Sequence, residues 1–254
     1  MASKKSNPTV VKSRRTKNVI GKNTPFVIAE AYKSARTNLM FALATTARKI
    51  IAVTSSAPFE GKSTTCINIS LTMAEMGSKV LMIDCDLRKP TAHYYLNITT
   101  PNGLSSILGG FCSVNDAINV GVRDNLDIIS AGPIPPNPAE LLASDNMKQL
   151  LEYLSEQYDY IFLDTPPVNM VTDSQLMNDI IAGFVFVVKE GSTTHPAIGE
   201  ALRSVELAQG KMLGFIKVAC NAKGSRSYKK YKYSYDNNGY VSYGDVNEVA
   251  ASDE

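Results

Sequence analysis

The residue types best suited to chemistry lie in one short stretch, Ser56-Ala57-Pro58-Phe59-Glu60-Gly61-Lys62-Ser63-Thr64. Glycine lets backbone N–H groups turn toward an anion, lysine brings a mobile positive charge, and serine offers a hydroxyl to a divalent cation. An apolar, β-branched run (Ile50 to Val53) precedes the stretch, and a helix-like segment follows it to Met76. Strand, loop and helix in that order aim a helix N-terminus at phosphate. Lys62 would reach the outer phosphates of a nucleotide, and Ser63 would sit on Mg²⁺. Two positions depart from G-x-x-x-x-G-K-[ST]: Ser56 replaces the first glycine, and Phe59 occupies the loop's interior. Gly-Lys-Ser also arises by chance in a turn before a helix. The flanking strand and helix weigh against chance here.

Two further apolar runs end in aspartate. Val80-Leu-Met-Ile-Asp84 leads into Cys85, Asp86 and Leu87-Arg88-Lys89-Pro90, and Tyr160-Ile-Phe-Leu-Asp164 leads into Thr165-Pro166-Pro167. Acidic groups at the C-terminal ends of strands lie where doubly wound folds bind their ligands. The second run has the Walker B pattern, whose carboxylate holds Mg²⁺ through water.

These residues need a scaffold. Thr24-Pro25 reads as N-cap and first helical residue of a helix to about Thr46, with Phe26, Val27, Ala31, Ala35, Leu39 and Leu43 toward the core. Glu30, Lys33 and Arg36 share one side of it. On spacing alone they form an exposed ion-pair stripe, and a subunit contact is the alternative. Gly77 ends the helix after the phosphate loop. Residues 97–125 read as loop and short helix broken at Gly109-Gly110, and Asn125–Ser130 as the third strand. After the rigid Ala131-to-Pro138 loop, Asn137-Pro138 starts a helix through about Gln157, with Leu141, Leu142, Leu150, Leu151 and Leu154 inward. Strands over Phe184–Val188 and Gly214–Cys220 flank a helix over Pro196–Gln209. Alternating strands and helices predict an α/β fold of the P-loop NTPase type, a mainly parallel sheet with helices on both faces.

A chain of 254 residues suffices for one large domain. No apolar run approaches the ~20 residues needed to span a bilayer. The N-terminus has charge but no apolar core, so it does not read as a secretory signal. Cys66, Cys85, Cys112 and Cys220 show no C-x-x-C spacing; Cys66, Cys85 and Cys220 read as small core residues in a reducing cytoplasm. Two histidines, His93 and His195, argue against a histidine-built metal site. Residues 1–22 carry seven cations and no acid. They read as a flexible arm, with attraction to anionic lipid a weaker reading and nucleic acid unsupported by any reading motif. From about Lys223 the composition changes: Tyr228, Tyr231, Tyr233, Tyr235, Tyr240 and Tyr243 are half of the chain's twelve tyrosines, set among Gly, Asn, Ser and Lys. That composition reads as disordered, and residue chemistry alone leaves open whether it is a sticky tail or a modification substrate. The expected organisation is a basic arm (1–24), a P-loop domain (25–222) and a tyrosine-rich tail (223–254).

The combination of the Thr54-to-Thr64 loop, Ile83-Asp84-Cys85-Asp86-Leu87-Arg88, Leu163-Asp164-Thr165-Pro166-Pro167, Gly132-Pro-Ile-Pro-Pro-Asn-Pro138 and the terminal tyrosines resembles the bacterial tyrosine kinases of capsule and exopolysaccharide synthesis, the BY-kinase family. Eukaryotic kinase motifs (G-x-G-x-x-G, H-R-D, D-F-G) are absent from the sequence. The resemblance implies ATP and Mg²⁺ as cofactors, with Pro58, Phe59, Glu60, Gly61, Lys62, Ser63 and Thr64 around the phosphates. It implies Ser63, Asp84 and Asp164 near the metal, and Asp86 as acceptor of the tyrosine hydroxyl proton. The six tail tyrosines are then the autophosphorylation sites. In that family the loop commonly reads P-G-E-G-K-S, so Phe59 stands at a glycine position; a positive φ there would strain the loop. The family's E-x-x-R-x-x-R stripe, linked to ring-like self-assembly, here reads Glu30, Lys33, Arg36. A chain without its own membrane span resembles the Gram-positive arrangement, with a separate transmembrane adaptor whose cytoplasmic segment activates the kinase at the inner face of the plasma membrane. A cognate tyrosine phosphatase would be a further partner, and no nucleic acid is expected. Two other classes stay open: a partition- or division-type P-loop ATPase, which usually has a second lysine where Ser55, Ser56 and Ala57 stand, and a catalytically inactive scaffold.

Overall fold

The computed structural model describes residues 18–220. The basic arm through residue 17 and the tyrosine cluster lie outside the described residues. Among these, seven strands form one sheet: β1 (Ile50–Ser55), β2 (Val80–Asp84), β3 (Ile118–Arg123), β4 (Leu126–Ile129), β5 (Tyr160–Asp164), β6 (Gly183–Lys189) and β7 (Met212–Val218). Their spatial order is β3-β4-β2-β5-β1-β6-β7. All neighbouring pairs are parallel except β3 with β4.

Strand side chains alternate between two faces, and both faces are covered. Ile51, Val53, Val80, Met82 and Phe162 pack under helices α1 (Phe26–Ala42), α2 (Lys62–Ala74) and α3 (Ala92–Leu96). Ile50, Leu81, Ile83, Ile161 and Leu163 pack against α4 (Leu104–Leu108), α6 (Pro138–Leu142) and α7 (Asp145–Ser155), which follow the short α5 (Val114–Ala117). Ala52, Phe184 and Phe186 meet Ala201 and Val205 of α8 (His195–Leu207). Burial on both faces explains why the central strands read as continuous apolar runs.

Several expectations are corrected. Helix α1 stops at Ala42 rather than near Thr46, and Thr24 does not cap it. The Thr24 hydroxyl instead accepts the Gly21 N–H at 2.9 Å. Its N-terminal end misses the core: Phe26, Val27 and Ala31 are exposed, whereas Ala35 packs against the core and Leu39 and Leu43 are buried. The helix expected over 138–157 is two, because Ser144 breaks it. The Ser144 hydroxyl donates to Leu141 O at 2.7 Å and accepts the Met147 N–H at 3.3 Å, capping α7. Strand β3 lies inside the region read as loop; it is an exposed edge strand with Gly121 at φ 65. Its Ile118, Val120, Val122 alternation was the available signal. Cys66 and Cys85 are buried as expected, but Cys220 is exposed.

The start of the described chain is pinned by one buried side chain. Asn68 donates from Nδ2 to Asn18 O (3.0 Å) and accepts the Ile20 N–H on Oδ1 (2.9 Å), while Val19 and Ile20 pack against the core. Hydrogen bonds of this kind contribute about 1 kcal/mol each. Replacing Asn68 by Ala is therefore expected to speed amide exchange at Ile20 by roughly tenfold while leaving strand amides protected. Unchanged Ile20 exchange would contradict this anchoring.

Candidate active site

Three adjacent strands, β2, β5 and β1, end side by side. In the parallel register Asp84 lies across from Asp164, and Asp164 across from Val53. The phosphate loop leaves β1 and turns into α2 at Gly61, whose φ of 92 is left-handed. A Cβ at Gly61 would meet Val218 Cγ2 at an ordinary 3.5 Å, so the sign of φ and not the space requires glycine. The turn after β5 is stitched to β1: the Thr54 hydroxyl donates to Pro166 O (2.9 Å), the Thr165 hydroxyl to Val53 O (3.0 Å), and Val168 N–H to Ser55 O (2.9 Å).

The Lys62 ammonium sits among the three carboxylates. Its Nζ donates to Asp86 Oδ2 at 2.7 Å and lies 3.6 Å from Asp164 Oδ1. The carboxylates differ in how they are engaged. Asp84 is spent on backbone: its oxygens accept N–H groups of Asp86 (3.2 Å), Thr91 (3.2 Å) and Ala92 (3.1 Å). Asp86 accepts Lys62 and the Lys89 N–H (3.0 Å). Asp164 is fully buried, and neither of its oxygens has a hydrogen-bond partner. Burial opposes the charged Lys62 ammonium, but Asp164 and then Asp86 outweigh it and hold its pKa above the ordinary lysine value. Burial first, and Asp164 second, push Asp84 up to about 8. Burial also raises Asp164, against the pull of Lys62.

A cleft of about 800 Å³, counted out to its open mouth, lies over this group. Pro58, Phe59, Gly61, Lys62, Ser63, Thr64 and Asp86 line it, so the structure brings most of the expected residues together. Glu60 is the exception within the loop. It is 2% exposed and faces away from the cleft, bound to Ser56 and Ala57. Ser56, the departure from the usual first glycine, is thereby explained: its hydroxyl is 2.8 Å from Glu60 Oε2. Phe59 has φ 64 and is 91% exposed. The left-handed region costs a residue with a Cβ about 1–2 kcal/mol, so the strain expected at this position is present.

Pro166 and Pro167 line it as well, together with Arg88, Lys89, Thr91, Tyr95, Met170 and Val171, six residues that the sequence did not single out as cleft residues. Arg88 is fixed by a bidentate pair with the buried Asp173 (2.8 and 3.1 Å). Those partners are 85 positions apart, and no local pattern joins them. The Glu30, Lys33, Arg36 stripe lies elsewhere, on α1. Glu30 and Lys33 pair with each other at 2.7 Å, and Arg36 Nη1 turns to Thr72 O at 2.7 Å. Among the described residues no group of three or more His, Cys, Asp or Glu is arranged to hold a metal ion by itself. Magnesium in nucleotide sites typically uses one or two protein ligands, with phosphates and water supplying the rest. The unpartnered Asp164 oxygens suit that role.

Asp84 titrates higher in the folded chain than in the unfolded one, so folding takes up a proton between about pH 4 and pH 8. Its contribution to stability is present at the acid end of that window and is lost as pH rises. In buffer free of metal and nucleotide, the urea midpoint is expected to fall from about pH 5.5 to about pH 8.5, with a flatter profile for Asp84→Asn. A midpoint that rises over this interval in the unsubstituted chain would refute the assignment.

Comparison with known proteins agrees with this geometry. The AAA domain family matches residues 48–190. The tyrosine-protein kinase YwqD of Bacillus subtilis is 38% identical over 87% of this chain and 92% of its own length. The putative tyrosine-protein kinase CapB of Staphylococcus aureus is 35% identical over 80% of this chain and 90% of its own. The kinase domain of the Escherichia coli tyrosine kinase ETK superposes with a TM-score of 0.75 at 31% identity, covering 85% of this chain and 87% of that one. The P-loop sheet, the carboxylates converging on Lys62 and these relatives together establish that the chain belongs to the bacterial tyrosine-protein kinase family.

Proposed function

We propose that this kinase binds Mg·ATP in the cleft over Lys62 and transfers the terminal phosphoryl group to the tyrosines of its own C-terminal cluster, mainly between neighbouring copies. The observation that carries this reading is Asp164, a fully buried carboxylate beside the phosphate loop whose oxygens accept no hydrogen bond and whose ion-pair partner is Lys62 at 3.6 Å. In this reading the loop amides and Lys62 hold the phosphates. Ser63 and Asp164 hold the metal, and Asp84, its oxygens spent on backbone, shapes the turn after β2 behind them. Magnesium would neutralise charge on the phosphates as the bond to the leaving oxygen breaks. Asp86 takes the proton of the incoming tyrosine hydroxyl, whose ordinary pKa of about 10 keeps it protonated at neutral pH. Asp86 also holds Lys62 at 2.7 Å, so one carboxylate would both orient the cation and serve as base. Catalysis is then positioning and charge neutralisation.

The remaining parts of the proposal are the setting. Glu30, Lys33 and Arg36 serve contact between copies, in a homo-oligomer of ring type. A transmembrane adaptor recruits the chain to the inner face of the plasma membrane, and a tyrosine phosphatase resets the tail. Phosphorylation regulates capsular or exopolysaccharide synthesis and export. No helix among the described residues is long and apolar enough to cross a membrane.

Incubation of the full chain with Mg·ATP, alone and with an adaptor's cytoplasmic segment, is expected to add phosphate mass steps mapping to Tyr228–Tyr243. Lys62→Met and Asp164→Asn are expected to abolish them. Intact-mass spectrometry that finds no phosphate under either condition, with ATP still bound, would replace this reading with a partition-type ATPase or a scaffold.

The tail's charge suggests what phosphorylation does. Residues 223–243 carry Lys223, Arg226, Lys229, Lys230 and Lys232 against Asp236, a net charge of +4. Each phosphate adds about −1.5 to −2, so roughly three reverse the sign. A basic tail is attracted to a cleft that holds Asp86 and the nucleotide phosphates, and a phosphorylated one is repelled. The oligomer is therefore expected to lose mass in light scattering once the tail is phosphorylated. Equal mass before and after would dismiss this switch.

A further inference from the structure

The left-handed turn at Phe59 needs something to hold it. The ring contributes no packing, since Phe59 is 91% exposed. A strained backbone persists only where its surroundings over-determine it. The surroundings here are the last residue of β6 and the loop that follows it. Lys189 Nζ donates to the carbonyl of Phe59 itself at 3.0 Å. One residue on, Glu60 Oε1 accepts the hydroxyl of Thr193. The other oxygen of Glu60 accepts the Ala57 N–H at 2.9 Å and lies 2.8 Å from the Ser56 hydroxyl. A single buried carboxylate thus ties the entrance of the phosphate loop to its exit, and both to a second loop.

That second loop is rigid in its own right. The Thr193 hydroxyl accepts the Lys189 N–H at 2.9 Å, and the Thr193 N–H donates to Lys189 O at 2.9 Å. Thr194 caps α8 immediately afterwards, accepting the Ala197 N–H. Lys189 and Thr193 do not line the cleft, so neither is placed to touch a nucleotide there. A buried acid in a loop that binds an anion is electrostatically adverse. Its retention in a fully hydrogen-bonded position needs a reason other than ligand contact.

We propose that Lys189 and Thr193 form a clamp that holds the strained Phe59–Glu60 turn in its phosphate-binding shape, with Glu60 as the positioning residue through which Thr193 acts. The proposal rests on the reading of the cleft as a nucleotide site. It makes nucleotide affinity depend on residues outside the cleft, and it explains how the loop tolerates phenylalanine where glycine would relax it. The clamp and the strain must then be energetically coupled: where glycine supplies the left-handed turn unaided, the clamp becomes dispensable.

The test is a set of double-mutant cycles on the full chain. Thr193→Val, Lys189→Met and Glu60→Gln are each made in the Phe59 and the Phe59→Gly backgrounds, with Thr193→Ser as the conservative control. Binding of a fluorescent N-methylanthraniloyl ADP with Mg²⁺ is the first readout. With Phe59 present, Thr193→Val and Glu60→Gln are expected to weaken binding about tenfold, and Thr193→Ser to retain it. With glycine at 59 the same changes are expected to cost less than about threefold. Equal losses in both backgrounds, or a lowered melting temperature with unchanged affinity, would overturn the clamp. Amide exchange over residues 55–62 in the nucleotide-free chain is the second readout. Exchange is expected to accelerate in the clamp variants with Phe59 and not with glycine, and equal acceleration in both would also overturn it. That readout judges the clamp even if the unsubstituted chain failed to bind nucleotide, a result that would overturn only the reading of the cleft.

Discussion

One cation among three carboxylates governs this structure. Lys62 is buried with Asp86 at 2.7 Å and Asp164 at 3.6 Å, while Asp84 stands across the register from Asp164. If every group is ionised, the cluster has two more negative charges than positive. In a low-dielectric interior such an imbalance is costly. The cluster relieves it by holding protons, as the raised Asp84 shows, or by taking up positive charge from outside. The divalent cation of the proposed function would relieve the same imbalance that burdens the folded chain. The central strands bear that burden because they are stabilised elsewhere, by the apolar layers on both sheet faces.

The three carboxylates are equal in sequence and unequal in structure. Asp84 has three backbone donors, Asp86 has a lysine and one backbone donor, and Asp164 has none. Hydrogen-bond engagement sorts them into one that shapes the turn after β2, one that orients the lysine, and one left open. A run of apolar residues ending in aspartate announces the position of each, but not this division. The division arises from the loops that follow the strands, and those loops are set by contacts distant in sequence.

That contrast measures what the sequence made legible. Runs buried on two faces identify themselves, so Val80–Asp84 and Tyr160–Asp164 stand where they were expected to the residue. Both meet the phosphate loop at the ends of neighbouring strands. Legibility fails where a residue's partner is remote or its burial is partial. Strand β3 lies at an exposed edge interrupted by Gly121. The N-terminal turns of α1 carry Phe26 and Val27 outward, although their spacing suits a core-facing stripe. The family resemblance implied Glu60 among the residues around the phosphates. Its real partner, Thr193, is 133 positions away. Ser144 was legible in principle, as a capping residue in the middle of an overlong helix.

The stripe on α1 does little for the stability of a single chain. Glu30 and Lys33 are half exposed, and a pair of this kind contributes only a few tenths of a kcal/mol, about 0.2–0.5. Arg36 makes one bond, to Thr72 O, while its Nε is buried with no hydrogen-bond partner. A buried unsatisfied donor costs about 1–3 kcal/mol, so the stripe is a poor device for stabilising one chain. Contact between copies, as proposed above, would give these residues a use beyond the single chain. Thr72 belongs to α2, the helix that begins at Lys62. Arg36 thus grips the far end of the helix whose N-terminus faces the cleft, so a neighbour that drew Arg36 away would act on the element that carries the phosphate loop.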